Sequence, residues 1–148
     1  ASMSAIGSGL GSGGMIVYDD SVCVVAAAAV LSRFLAVESC GQCPPCKLGT
    51  GALAERFALL ESGEAADLTV DEMTAWISRV TDANRCGLGA GERAQAAGVF
   101  RVFPDEVLSH VGRRCGSDRQ LTIPKITDWK PDEGRFVYDE TYFSWRQP

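Results

Sequence analysis

The stretch Glu38-Ser39-Cys40-Gly41-Gln42-Cys43-Pro44-Pro45-Cys46-Lys47 constrains this chain more than any other, because it sets three cysteines at i, i+3 and i+6. Gly41 lets the backbone turn tightly, and Pro44 and Pro45 stiffen it and remove two amide donors, so a plain helix or strand is not expected to persist here. Three thiolates then converge from one short loop. Such a group suits a polynuclear metal site, and a four-iron cubane has four corners to hold, so a fourth ligand must come from elsewhere. Cys86, in Asn84-Arg85-Cys86-Gly87-Leu88-Gly89, is the candidate, with glycines around it that permit close backbone approach.

Six cysteines in a chain whose start has no basic, apolar leader read as metal ligands rather than a disulfide framework, and a cytoplasmic setting is expected. The formal charge is -5 and no Lys/Arg run occurs, which argues against nucleic acid and against an anionic membrane surface. The most apolar run, Val22 to Leu31, falls well short of the ~20 residues that span a bilayer, so no direct membrane insertion is expected. With 46% hydrophobic and 22% charged residues over 148 positions, one core is expected, burying roughly 68–70% of the unfolded surface.

In chain order, residues 7–14 are glycine-rich and precede the strand-like run Met15-Ile16-Val17-Tyr18. A phosphate-cradling loop would follow a strand and open a helix, so these glycines read as a lead-in. Asp19-Asp20-Ser21 offers cap chemistry for a helix from about Val22 to Val37. Cys23 on that helix reads as a small core residue, not a ligand. Glu38 and Lys47 either tune the cysteine loop by their charge or are solvated helix-end residues.

A second helix is expected from Leu48 to Glu61, with Leu53, Phe57 and Leu60 on one face. Thr69-Val70-Asp71-Glu72 has the capping-box pattern for a third, which presents Val70, Met73, Ile77 and Val80, with Trp76 beside that stripe, and ends near Ala83. The two helices form a hairpin that returns Cys86 to the first three cysteines. A fourth helix is expected from about Glu92 to Val102 and a short fifth after Pro104, where Val107, Leu108 and Val111 seal it to the bundle. His110, the only histidine, reads as a surface or boundary residue.

Past Cys115, read as a free thiol, the character changes. Leu121 to Thr127 and Arg135 to Tyr138 are β-prone around the turn signal Pro131-Asp132-Glu133-Gly134, so a hairpin-like tail is expected, with Trp129, Tyr142, Phe143 and Trp145 available for self-packing or partner docking. The expected fold is mainly α: a small four- to five-helix bundle around an iron-sulfur cluster, with a short β-hairpin-like C-terminal tail. Its expected divisions are a lead-in over 1–20, a helical cluster-binding domain over 21–115 and the tail over 116–148.

Glu38 to Cys46, together with Arg85-Cys86-Gly87-Leu88-Gly89, closely resembles the iron-sulfur region of the NADH-binding flavoprotein subunit of respiratory complex I and of related NAD-linked hydrogenases and formate dehydrogenases. Gly13 to Asp19 and Val99 to Val107 are similar too, and the likeness covers about residues 9–113. It implies a [4Fe–4S] cluster on Cys40, Cys43, Cys46 and Cys86 that accepts electrons from a flavin reduced by NADH. The resemblance places FMN and NADH in an upstream domain that these residues do not provide, so the chain is expected to be a fragment of a larger flavoprotein or a separate electron-carrying domain. Its implied partners are a flavin/NADH-binding domain or subunit and other iron-sulfur subunits, peripheral to a membrane complex. Pro44, Lys47 and Leu48-Gly49 depart from the family's usual Thr, Arg and Glu-Gly, which bears on potential and partner contacts more than on ligation.

Two other readings stand beside the electron relay. A structural four-cysteine zinc domain is disfavoured by the three-plus-one spacing, since zinc ligands come mostly as two separated pairs. An interaction module would use the cluster only as a staple and the aromatic tail for contact.

Overall fold

The apolar alanine-rich run after Cys23 forms the helix on which the bundle is assembled. In a computed structural model, which describes residues 2–9, 11, 13–65, 70–81, 83–116, 123 and 126–139, and of Val70 the backbone alone, this is α1, Val24–Glu38. It is followed by α2 (Pro44–Ser62), α3 (Val70–Arg79), α4 (Leu88–Val102), α5 (Pro104–Ser109) and the strands β1 (Ile126–Lys130) and β2 (Arg135–Tyr138). The mainly helical expectation holds.

Val25 and Ala26 to Ala29 of α1 are buried, and their small side chains let α2 and α4 pack closely along the helix. The cap expected from Asp19 to Ser21 sits elsewhere. Asp19 Oδ1 accepts from the Ser21 amide at 3.2 Å, a local bond that holds these residues outside the helix, and Cys23 is the cap, its Sγ accepting from the Ala26 amide at 3.4 Å. Glu106 Oε1 of α5 accepts from the Val24 amide at 2.8 Å and satisfies another free donor of that first turn.

The second helix begins at Pro44, earlier than expected and inside the cysteine motif. Proline at N1 has a φ suited to the helix and no amide left unsatisfied there, so the motif nucleates a helix where its composition suggested only a loop. Leu53, Phe57 and Leu60 are fully buried, and the Phe57 ring meets Phe100 of α4 at 6.1 Å between centroids. Met73 and Ile77 of α3, with Val80 just past its end, join this core. Trp76 lies beside the stripe as expected, with the Arg56 and Arg79 guanidinium groups each 4.4 Å from its ring. The capping residue Thr69 and the Val70 side chain lie outside the described residues.

Two further boundaries differ from expectation. Helix α3 stops at Arg79, not near Ala83, and α4 starts at Leu88, four residues before Glu92, with Gly87 as its cap. Cys86 therefore precedes a helix rather than ending one. Met15 to Tyr18 is exposed and in no strand, with Val17 92% exposed, because the described residues offer no partner strand for its backbone groups. The C-terminal hairpin does form. Its register sets Trp129 opposite Phe136, rings 4.6 Å apart, and its first strand falls later than Leu121 to Thr127, a run of which residues 121, 122, 124 and 125 lie outside the description, as do Tyr142, Phe143 and Trp145.

Candidate metal centre

The first three cysteines lie between the end of α1 and the first turn of α2. Cys40 is exposed, Cys43 is the half-buried cap residue of α2, and Cys46 is buried. Gly41 turns the loop with φ 81°, a conformation that an L side chain rarely adopts. Cys86 stands just ahead of Gly87, exposed, at the start of α4. Two helix N-termini thus lie beside the cysteines, α2 beginning inside the triad and α4 just after Cys86.

Contacts between the two segments bring the second up against the first. The Arg85 amide donates to Cys43 Sγ at 3.5 Å, and Arg85 Nη1 donates to Gln42 Oε1 at 3.1 Å. At Gly89, a Cβ would stand 3.5 Å from Cys46 Sγ and 2.7 Å from Asn84 Nδ2, so only glycine lets α4 approach here without displacing Asn84. Ser39 Oγ lies 3.5 Å from Cys46 Sγ and can donate to a thiolate. Four sulfurs on two adjoining segments, with amide and hydroxyl donors aimed at two of them, form a donor set suited to an iron-sulfur cluster.

Lys47 serves the backbone. Its Nζ donates to the carbonyls of Ala36 at 2.8 Å and Ser39 at 3.1 Å, closing the C-terminal end of α1 onto α2, while Glu38 is exposed. A single ammonium meets both carbonyls of this clamp.

A second group of ligand-type side chains gathers at the other end of α1, and sequence reasoning missed it. His110 is not at the surface: it is 2% exposed, and its Nε2 lies 3.2 Å from Cys23 Sγ. Cys115 completes the group, with one ligand atom from each residue and all within 4.8 Å of one another. It is the one such group of three or more His, Cys, Asp or Glu among the described residues. Burial pushes the Cys23 thiol up to about 11, the Ala26 amide opposes this and neighbouring Cys115 adds to it. Nothing local in sequence joins positions 23, 110 and 115; tertiary packing does.

Residues 26–110 match the family described as the NADH-ubiquinone oxidoreductase-F iron-sulfur binding region. Among relatives, the F-type subunit of NADH-quinone oxidoreductase in Rickettsia akari is 38% identical over 106 residues, 72% of this chain and 25% of the relative. Its counterpart in Rickettsia bellii is 36% identical over 110 residues, 74% of this chain and 26% of the relative. The chain thus spans about a quarter of the length of the curated relatives it matches. The matched residues begin within α1, run through the cysteine loop and the Cys86 turn, and end at α5, so the bundle and the match are one unit: the chain belongs to the NADH-ubiquinone oxidoreductase-F iron-sulfur binding family.

Proposed function

We propose that Cys40, Cys43, Cys46 and Cys86 hold one [4Fe–4S] cluster, and that the chain relays electrons within an NADH dehydrogenase (quinone)-type flavoprotein. The observation that carries this is the contact of Arg85 and Gly89, on either side of Cys86, with Cys43 and Cys46 of the triad. When bound, the cluster supplies one-electron acceptance and donation. The protein's part is to fix the ligands and set their surroundings. Buried Cys46 anchors the inner side, the Arg85 amide and Ser39 hydroxyl offer hydrogen bonds that stabilise negative charge on sulfur, and the Lys47 clamp holds the loop against α1. Exposed Cys40 and Cys86 leave an edge through which electrons can enter or leave.

The three-plus-one spacing of the cysteines suits a polynuclear centre better than one zinc ion, whose ligands come mostly as two separated pairs. The relatives' name supports NADH as the ultimate donor and a quinone-linked assembly as the setting. We assign FMN and NADH binding to a domain outside these residues, and further iron-sulfur subunits as the onward acceptors. The exposed apolar run Met15 to Val17 fits docking against such a neighbour. No helix among the described residues is long and apolar enough to cross a membrane, which accords with a peripheral place in the assembly.

The test is anaerobic purification or reconstitution with iron and sulfide, followed by metal and sulfide analysis and electron paramagnetic resonance after dithionite. About four iron and four sulfide per chain and a reduced-cluster signal are expected, and Cys86→Ser should lose or convert that signal. Stoichiometric zinc held by four sulfurs, with no iron taken up, would overturn the relay. NADH oxidation by this chain alone would overturn the placement of the flavin elsewhere.

A further inference from the structure

We propose that Cys23, His110 and Cys115 form a second metal site, built for one zinc ion and separate from the four-cysteine loop. Cys23 caps the start of α1 and the loop follows its end, so the length of the helix, about 22 Å at ~1.5 Å per residue over 15 residues, stands between them. The two sites therefore take metal independently.

The histidine is set up to ligate. Its Nδ1 lies 2.8 Å from the Glu106 carbonyl oxygen, which can only accept, so the proton sits on Nδ1 and the Nε2 lone pair faces Cys23 Sγ at 3.2 Å. A metal-bound imidazole characteristically donates its other nitrogen's hydrogen to such a carbonyl, which fixes both tautomer and ring plane. The same glutamate ties its side chain to the Val24 amide at 2.8 Å, so the residue that orients His110 also fastens α5 to the start of α1, next to Cys23.

Ligand spacing and charge agree with zinc. Bond lengths of ~2.3 Å to sulfur and ~2.0–2.1 Å to nitrogen put tetrahedral ligand atoms roughly 3.5–3.8 Å apart. Here the three atoms lie within 4.8 Å, so side-chain adjustments of an ångström or less close the shell. Binding releases the two thiol protons to solvent, and two thiolates with a neutral imidazole cancel the charge of the dication, which leaves no net charge to bury. Two sulfurs and one nitrogen favour zinc over harder cations, and Cys115 is only partly buried, which gives the ion a way in. The fourth position falls to a water or another light-atom ligand. The ion would pin the segment after α5 to the start of α1, at the point where the chain leaves the bundle for the hairpin.

The experiment is zinc analysis and zinc-edge X-ray absorption on the anaerobically prepared 148-residue chain, with iron and sulfide measured in parallel. One zinc per chain is expected, in a shell of two sulfurs, one imidazole nitrogen and one light atom. His110→Gln and Cys115→Ser should each weaken zinc at least tenfold in chelator competition while iron content and the reduced-cluster signal persist, and Cys86→Ser should lose the cluster and keep the zinc. Cobalt exchanged into the unmodified chain should give tetrahedral cobalt–thiolate bands, a readout that does not depend on any variant folding. Zinc in a four-sulfur shell, zinc lost in Cys86→Ser, no zinc or cobalt retained, or a Cys23–Cys115 disulfide in the anaerobic protein would each overturn the site. Failure of these outcomes with an intact cluster would leave the relay reading standing.

Discussion

Replacing Glu92 by glutamine should make the folded chain more stable, by an amount that grows with pH. Glu92 lies near the start of α4 and is fully buried, and neither carboxylate oxygen makes a hydrogen bond of good geometry among the described residues, the nearby Ser32 hydroxyl donating instead to Gln95 Oε1 at 3.3 Å. Burial pushes its carboxyl from 4.5 up to about 7, and the Ser32 hydroxyl of α1 draws it only partly back. The native state therefore keeps a proton that the unfolded chain releases between those two values. Stability from this group is full below pH 4.5, declines as pH rises to about 7, and is level above that. A rise of that size corresponds to about 3 kcal/mol in total, of which roughly 2 kcal/mol falls between about pH 5.5 and 8. Glutamine keeps the shape and does not titrate. The gap in stability between Glu92→Gln and the unmodified protein should therefore widen by about 2 kcal/mol over that interval, or roughly 4–8 °C in melting temperature for a chain of this length. Denaturant titrations of the anaerobic, cluster-loaded proteins at several pH values measure it directly. Parallel pH dependences for the two proteins, or a Glu92 carboxyl carbon resonance that titrates near 4.5, would refute the reasoning.

The remaining predictions concern packing. Gly49→Ala places a Cβ 2.5 Å from Val80 Cγ2, where α2 meets the end of α3, and should destabilise by about 1–3 kcal/mol. The control Gly51→Ala, on the same helix with nothing within 4 Å, should instead stabilise by up to about 1 kcal/mol through helix propensity; urea midpoints separate the two. Phe57→Ala removes a fully buried ring that meets Phe100 and should cost about 3–5 kcal/mol in the same assay. Arg56→Gln removes one of the two guanidinium groups over Trp76 and the 3.2 Å ion pair with Glu72, and should cost about 1 kcal/mol with a shift in tryptophan emission.

Helices are legible in a sequence when one face repeats. Leu53, Phe57 and Leu60 recur at helical spacing and are buried, and Met73 and Ile77 on α3, continued by Val80 just past its end, do the same. Helix ends were less legible, because they are decided by which cap chemistry wins. The Asp19–Ser21 bond took the acidic cap away from α1 and left the role to Cys23, and Pro44 opened α2 inside a motif that reads as a loop. Gly87 and the glycines after Cys86 looked like a helix end, yet α4 begins there, with Gly87 as its cap and a Cβ at Gly89 that would displace Asn84.

Of the candidate metal centre, the sequence by itself determined the ligand types. Three cysteines so close together, with a fourth near glycines, offer a thiolate donor set whatever the surrounding fold, and periodicity and turn signals pointed to a small helical bundle with a hairpin beyond it. What only the tertiary structure decided is where distant residues meet. Arg85 and Gly89, which flank the Cys86 turn, meet Cys43 and Cys46 because the turn ahead of α4 packs on the start of α2, and Glu92 becomes a costly buried carboxyl because α4 packs its face on α1. Cys23, His110 and Cys115, which looked like a core residue, a boundary residue and a free thiol, share one site because α5 folds back onto the first turn of α1. Local spacing encodes what one segment can do, whereas burial and convergence are properties of segments packed together, and no periodicity within either partner records them.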